Sequence, residues 1–343
     1  MNDPIPLLKI TNLSAVFSTD QGFVRAVDLV SLGVDRGRTL GIVGESGSGK
    51  SVLCRSIMGL DMRRGAELTG SVRFEGVELV GMPLKGLRRF RGSEIAMVFQ
   101  DPMTSLNPVV RVGRQITESL QANLGQSRDQ ATQAALELLR AVDIPSPERR
   151  LRQYPYELSG GMRQRVVIAI ALACNPKLLL ADEPTTALDV TVQAQILRRL
   201  ADLREQSRMA MILVTHDLGI AATMTDEIAV MYAGQVVERA PTRALFRETK
   251  MPYTEALMQS HPKLDTPRNT RLQAIPGQPP ARGSSFSGCR FAPRCRYVQP
   301  RCKLDAPPLI EANAGHFYRC WFPEAVSAHP PSDVRDEPQL AGT

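Results

Sequence analysis

The chain has 343 residues, 43% hydrophobic and 22% charged, with a formal net charge of +7, a length that buries a sizeable core and points to more than one structural unit. No apolar run approaches the roughly 18 residues a membrane helix needs, and Met1-Asn2-Asp3-Pro4 lacks the basic and apolar regions of a signal peptide. These features argue against a membrane span and a secreted destination; a cytoplasmic chain that meets a membrane only through partners is expected.

Residues 7 to 50 alternate apolar and polar positions, as a β-rich edge does. Leu40-Gly41-Ile42-Val43 reads as a short strand running into Gly44-Glu45-Ser46-Gly47-Ser48-Gly49-Lys50-Ser51, a complete G-x-x-x-x-G-K-S loop. Its glycines let successive N–H groups converge on a polyphosphate; Lys50 can reach the β- and γ-phosphates and the Ser51 hydroxyl can sit on Mg²⁺. Ser51 to Met58 continues as a helix whose N-terminus faces the anion. A nucleoside triphosphate is therefore the expected ligand.

Residues 70 to 80 show the period-two pattern of a strand with a turn glycine. Gln100 follows in Val98-Phe99-Gln100-Asp101-Pro102. Residues 101–157 lack strand signals and read as helical; Ser127-Arg128-Asp129-Gln130 fits a capping box, and Ala134, Leu138, Leu139 and Val142 form an apolar stripe at helical spacing. Next comes Leu158-Ser159-Gly160-Gly161-Met162-Arg163-Gln164-Arg165. Ser159 can cap a helix running from Gly160 to about Cys174, and Gly160 and Gly161 leave room for an anion at its start. Residues 163 to 240 alternate helix and strand, the pattern of a parallel sheet covered by helices. Within them Leu178-Leu179-Leu180-Ala181 ends in Asp182 and Glu183, which point to opposite sides of a strand and can do different jobs, one at Mg²⁺ and one at water. Ala187-Leu188-Asp189 and His216 complete the series.

Residues 262–288 are rich in Pro, Gly and polar residues and read as a linker. Residues 262 to 322 hold ten Lys/Arg against three Asp/Glu. Such a basic module suits nucleic acid or an anionic membrane; compensation of a negative cofactor is preferred, because Cys289, Cys295, Cys302 and Cys320 lie there as C-x5-C-x6-C-x17-C. In a reducing compartment four thiols suggest zinc, an iron–sulfur centre or free thiols. Cys54 and Cys174 read as small core residues. The Pro-rich polar tail, residues 324–343, is expected to be disordered.

Taken in order, the 44–51 loop, Gln100, the LSGGMRQR string, Asp182-Glu183, Ala187-Leu188-Asp189 and His216 make the chain resemble, over about residues 7 to 260, the ATP-binding subunit of an ABC transporter. Asp101-Pro102-Met103-Thr104-Ser105-Leu106-Asn107-Pro108, Pro184 to Thr191 and the four cysteines look like the peptide/nickel importer branch, nearest the "D" ATPase subunits of dipeptide and oligopeptide permeases. The resemblance implies an α/β P-loop NTPase cassette over 1–261, with a mixed sheet core, a β-rich edge and a helical subdomain at 101–157, then a small cysteine-containing extension at 289–323. It implies ATP and Mg²⁺ as cofactors, with the loop residues Gly44 to Ser51 on the phosphates, Ser51, Gln100 and Asp182 around Mg²⁺, Glu183 polarising water, and His216 sensing the γ-phosphate. It also implies an aromatic stacked on adenine, Phe17 favoured over Phe23, and Ser159, Gly160 and Gly161 closing on the nucleotide of a partner. The cysteines would hold a [4Fe–4S] cluster whose charge Arg290, Arg294, Arg296, Arg301 and Arg319 offset. Expected partners are a homologous ATPase subunit in a heterodimer, two transmembrane permease subunits and an extracytoplasmic solute-binding protein, with no nucleic acid; the chain would lie peripherally on the cytoplasmic face of the bacterial inner membrane and hydrolyse ATP poorly alone. A nickel or other small-solute importer is the alternative. A single LSGG string argues against the two-cassette translation proteins, and the spacing from Ser51 to Ser159 leaves no room for a DNA-repair coiled coil.

Overall fold

The computed structural model describes residues 6–20, 22–185, 188–260, 274–281, 283–284, 286–313 and 315–327. Its first five strands are β1 (Leu8–Thr19), β2 (Gly22–Val34), β3 (Thr39–Val43), β4 (Ala66–Phe74) and β5 (Val77–Glu78). All but β3 join an antiparallel sheet of order β2-β1-β4-β5. The turn at Glu75 and Gly76 falls where the sequence places it, both residues taking positive φ.

The second sheet carries the chemistry. β3 pairs in parallel with β8 (Ala210–Thr215) and β9 (Glu227–Tyr232); β7 (Leu178–Asp182) pairs with β8, and β6 (Ile95–Val98) with β7. β3, β6, β7 and β8 are buried at every position, as expected of a parallel sheet covered on both faces. Their carboxyl ends deliver the phosphate loop, Gln100, Asp182-Glu183 and His216 to one side of the sheet, where ligands of open α/β sheets bind.

β10 (Gln235–Pro241) turns the edge antiparallel, and the hairpin β11 (Ile310–Asn313) and β12 (His316–Tyr318) extends it. The C-terminal segment thus adds strands to the same sheet. Buried Glu238 holds the joint: it accepts from the Lys250 and Met251 N–H groups at 2.6 and 3.2 Å and pairs with His316 Nε2 at 2.9 Å.

Between β6 and β7 lie the helices Val112–Leu124, Arg128–Ala141 and Gly160–Leu172, which share one core. The capping box at Ser127 is present. The expected stripe is borne out in part: Leu139 and Val142 are buried, and Ala134 and Leu138 pack partly buried against the same core, but the most buried row also takes in Ala131 and Ala135. Two helical rows compete there, and small alanines permit the closer approach to neighbouring helices. The expected tail opens with a short helix, Glu324–Ser327, in which Val326 is buried; residues 328–343 lie outside the described residues, as do 262–273, 282 and 285 of the linker.

Candidate nucleotide site

The loop 44–51 leaves β3 and enters the helix Lys50–Ile57. A Cβ on Gly44 would lie 2.2 Å from the Met231 carbonyl oxygen, so only glycine fits. Gly49 begins the helix at φ +105°. Lys50 Nζ donates to the carbonyls of Gly44 and Glu45 at 2.7 and 2.9 Å. Burial lowers the Lys50 pKa, while Glu183, Asp182 and Glu45 oppose the change. The cation is thus parked across the loop, held by carbonyls that a phosphate can replace.

Ser51 Oγ donates to Asp182 Oδ1 at 2.9 Å. Asp182 ends β7 and is buried; desolvation raises its pKa against the Ser51 bond, and neighbouring Glu183 adds to the rise. Arg55 and Lys50 oppose that rise. The Ser51 hydroxyl and the Asp182 carboxylate form a pair of hard oxygen donors of the kind that suits Mg²⁺. Glu183 breaks the strand at φ +46°, with its N–H bonded to the Val214 carbonyl at 3.0 Å. Such a conformation in a non-glycine residue carries strain and is common at functional sites. The Glu183 carboxylate meets two other elements: Gln100 Nε2 donates to Oε2 at 3.2 Å, and His216 Nδ1 lies 3.3 Å from the same oxygen.

Gln100, Glu183 and His216 therefore meet, as do Ser51 and Asp182. Ser159, Gly160 and Gly161 stand apart. Ser159 Oγ accepts from the Met162 N–H at 3.3 Å and caps its own helix, while the two glycines look toward Leu188 and Val192. Asp189 likewise caps its own helix at the Val192 N–H; Ala187 lies outside the described residues. Phe17 pairs with Val24, and Phe23 with Ser18, so the two phenylalanines face opposite sides of the hairpin. Phe17 packs on the core and Phe23 is exposed.

Sequence reasoning missed three residues around the loop. Tyr253 Oη accepts from the Glu45 N–H at 2.8 Å, Arg294 forks onto the Glu45 carboxylate, and Tyr232 lies beneath that arginine. The contacts to Glu45 join positions more than 200 residues apart, and Arg294 lies 62 residues beyond Tyr232, so no local pattern announces them.

The expected [4Fe–4S] centre is corrected. Among the described residues no group of three or more His, Cys, Asp or Glu side chains is placed to hold a metal ion. Cys289, Cys295, Cys302 and Cys320 do gather around a small apolar cavity with Phe291 and Trp321, but as free thiols. Burial pushes the Cys295 thiol up to about 11 and the Cys320 thiol up to about 12. The arginines thought to offset a cluster have protein partners instead: Arg290 pairs with Asp28, Arg294 with Glu45 and Arg296 with Glu255, Arg301 covers the Trp321 ring, and Arg319 donates to the Val236 carbonyl. A raised pKa means thiolate forms only as pH climbs toward those values. Iodoacetamide at neutral to mildly alkaline pH is therefore expected to label Cys295 and Cys320 at least about tenfold more slowly in the folded chain than in urea. Peptide mass spectrometry reads the label; equal rates in the two states would contradict this environment.

The family model "ABC transporter" matches residues 27–186, and "Oligopeptide/dipeptide transporter, C-terminal region" matches 237–302. A putative peptide import ATP-binding protein of Brucella abortus (strain 2308) is 49% identical over 92% of this chain and 94% of its own length. The oligopeptide transport ATP-binding protein OppD of Bacillus subtilis (strain 168) is 47% identical over 96% of this chain and 93% of its own. Among solved structures, the dimeric post-hydrolysis state of the ATP-binding cassette MJ0796 bound to ADP and Pi is 30% identical, with a TM-score of 0.63 over 69% of this chain and 99% of that one. The cbiO1 structure from Clostridium perfringens, part of the ABC transporter complex cbiONQ, is 26% identical, with a TM-score of 0.60 over 71% of this chain and 91% of that one.

Proposed function

The chain belongs to the ABC transporter family of ATP-binding cassettes that carry the oligopeptide/dipeptide transporter C-terminal region, and from that premise we propose that it is the ATP-hydrolysing subunit of a peptide importer. The observation that carries the ATPase reading is the meeting of Gln100, Glu183 and His216 on one carboxylate oxygen beside the phosphate loop. Peptide as cargo is supported by the names of the relatives and the matched C-terminal region.

In this reading the N–H groups of residues 44–51 and Lys50 bind the phosphates, with Phe17 beside the base. Ser51, Asp182 and Gln100 would hold Mg²⁺, which neutralises charge on the β- and γ-phosphates. Glu183 orients and polarises the attacking water, held in place by Gln100 and His216. Catalysis is mostly positioning and charge stabilisation. Ser159, Gly160 and Gly161, distant in contacts from their own loop, serve the nucleotide of a second cassette. Among the described residues no helix is long and apolar enough to cross a membrane. Peripheral attachment through permease subunits, on the cytoplasmic side, follows from the family role. A homologous ATPase and an extracytoplasmic binding protein complete the translocase.

Reconstitution of the chain with its permease and binding-protein partners in proteoliposomes tests the cargo. ATP-dependent accumulation of a labelled tripeptide is expected. Accumulation of nickel with no peptide uptake would overturn the peptide reading and leave the ATPase reading standing.

A further inference from the structure

The C-terminal module touches the phosphate loop directly. Arg294 Nη1 and Nη2 donate to Glu45 Oε2 and Oε1 at 2.6 and 2.9 Å. Its Nε donates to the Pro276 carbonyl at 2.9 Å, and Nη1 reaches Tyr232 Oη at 3.4 Å. The Arg294 side chain is 4% exposed and that of Glu45 25%, so the fork is shielded from water on the arginine side. Two parallel charge-assisted bonds fix a carboxylate in position and in plane, which a point charge does not.

Glu45 is well chosen for such a hold. Its carbonyl and that of Gly44 bind Lys50, its N–H is bound by Tyr253, and its carbonyl accepts from the Ser48 N–H at 3.2 Å. Tyr232, Tyr253 and Phe291 pack as a triangle of rings beneath, with centroids 4.5 to 5.4 Å apart. A shift of Glu45 would move Lys50 and the first N–H groups of the loop together.

The far side of the loop is braced as well. Arg290 pairs with Asp28 and donates to the Ala233 carbonyl. The adjoining Gly234 N–H donates to the Ser48 carbonyl at 2.9 Å, and the Asp28 N–H to the Gly234 carbonyl at 2.9 Å. Both arginines flank Cys289 and Phe291 in one short stretch of the module.

We propose that Arg294 is a positioning residue of the nucleotide site: its fork on Glu45 lets the C-terminal module set the phosphate loop in the form that binds a nucleoside triphosphate, while Arg290 braces the loop at Ser48 through the turn at Ala233 and Gly234. The inference rests on the ATP-binding reading above. It gives the module a task at the nucleotide that requires no bound cofactor.

Displacement of a fluorescent ATP analogue from the full chain by MgATP is the test. Arg294→Gln is expected to raise the MgATP Kd about tenfold, since it leaves the Glu45 carboxylate half-buried and unpaired. Arg294→Lys keeps the charge without the fork and should recover part of that loss; it carries the same test should Arg294→Gln fail to fold. The double variant Arg294→Gln with Glu45→Gln is expected to bind no more weakly than the weaker single variant, because one interaction is lost once. A brace that served stability alone would lower the nucleotide-free Tm and leave the Kd of folded protein at the wild-type value. A wild-type Kd in a folded Arg294 variant, or losses that multiply in the double variant, overturns the proposal. Failure of the wild-type chain to bind MgATP would overturn the ATP reading itself, and this inference with it.

Discussion

In the assembled importer, Glu183→Gln is expected to lower ATP turnover by about 10²- to 10⁴-fold, the usual cost of losing a general base, while MgATP binding persists. The substitution keeps size and one carbonyl oxygen, so the bonds from Gln100 and His216 to the Oε2 position can survive. What disappears is the charge that draws a proton from water. Asp182 is untouched, and its bond to Ser51 stays available for the Mg²⁺ shell. Lys50 loses one of the carboxylates that hold it charged, yet Asp182 and Glu45 remain. Affinity should therefore hold, and closed cassette pairs should accumulate with ATP trapped. Phosphate release reads the first effect and nucleotide-dependent dimerisation the second. Hydrolysis near the wild-type rate in the Glu183→Gln complex would remove Glu183 from its assigned role.

How much of this was legible in the chain depends on range. The phosphate loop is contiguous, and Gly44 and Gly49 stand where backbone geometry demands glycine. The buried runs Leu178 to Ala181 and Ala210 to Val214 announce parallel strands by having no polar face. The capping box at Ser127 is a three-residue pattern and reads correctly. The stripe of the same helix reads in part: Leu139 and Val142 are buried as expected, while Ala131 and Ala135 were missed, because rows through Ala131 and through Ala134 are both plausible until neighbouring helices choose between them.

Longer-range features escaped. The pairing of β12 with β10 joins Tyr318 to Glu238, and nothing near either residue specifies it. The cysteines illustrate a different failure. Their spacing and arginine-rich surroundings correctly suggest that the thiols converge, and they do converge on one cavity. Convergence is not ligation: the walls are apolar, burial raises the pKa of the Cys289, Cys295 and Cys320 thiols, and the arginines serve Asp28, Glu45 and Glu255. Charge near a cysteine in a sequence does not reveal which carboxylate, far along the chain, it will meet.

Ser159→Arg is the substitution that separates a chain's own site from its partner's. Ser159 is exposed, its hydroxyl accepts from the Met162 N–H of its own helix, and a Cβ on Gly160 beside it would meet Leu188 at an ordinary 3.6 Å. None of these contacts reaches residues 44–51. Loss of the cap costs about 1 kcal/mol of helix stability, which a folded domain of this size tolerates. The isolated variant should therefore bind MgATP as the wild type does. In the assembled complex a long cation at the helix N-terminus blocks approach to a partner's γ-phosphate and removes a donor aimed at it. Hydrolysis is expected to fall by about 10²- to 10³-fold, the scale of losing one preorganised donor to a developing charge. Ser159→Asn, which keeps the cap with a shorter side chain, should lose less. Equilibrium binding to the isolated chain and phosphate release by the complex are the two readouts. Weakened MgATP binding by the isolated Ser159→Arg chain would place this loop in its own nucleotide site and end the reading of a site shared between two cassettes.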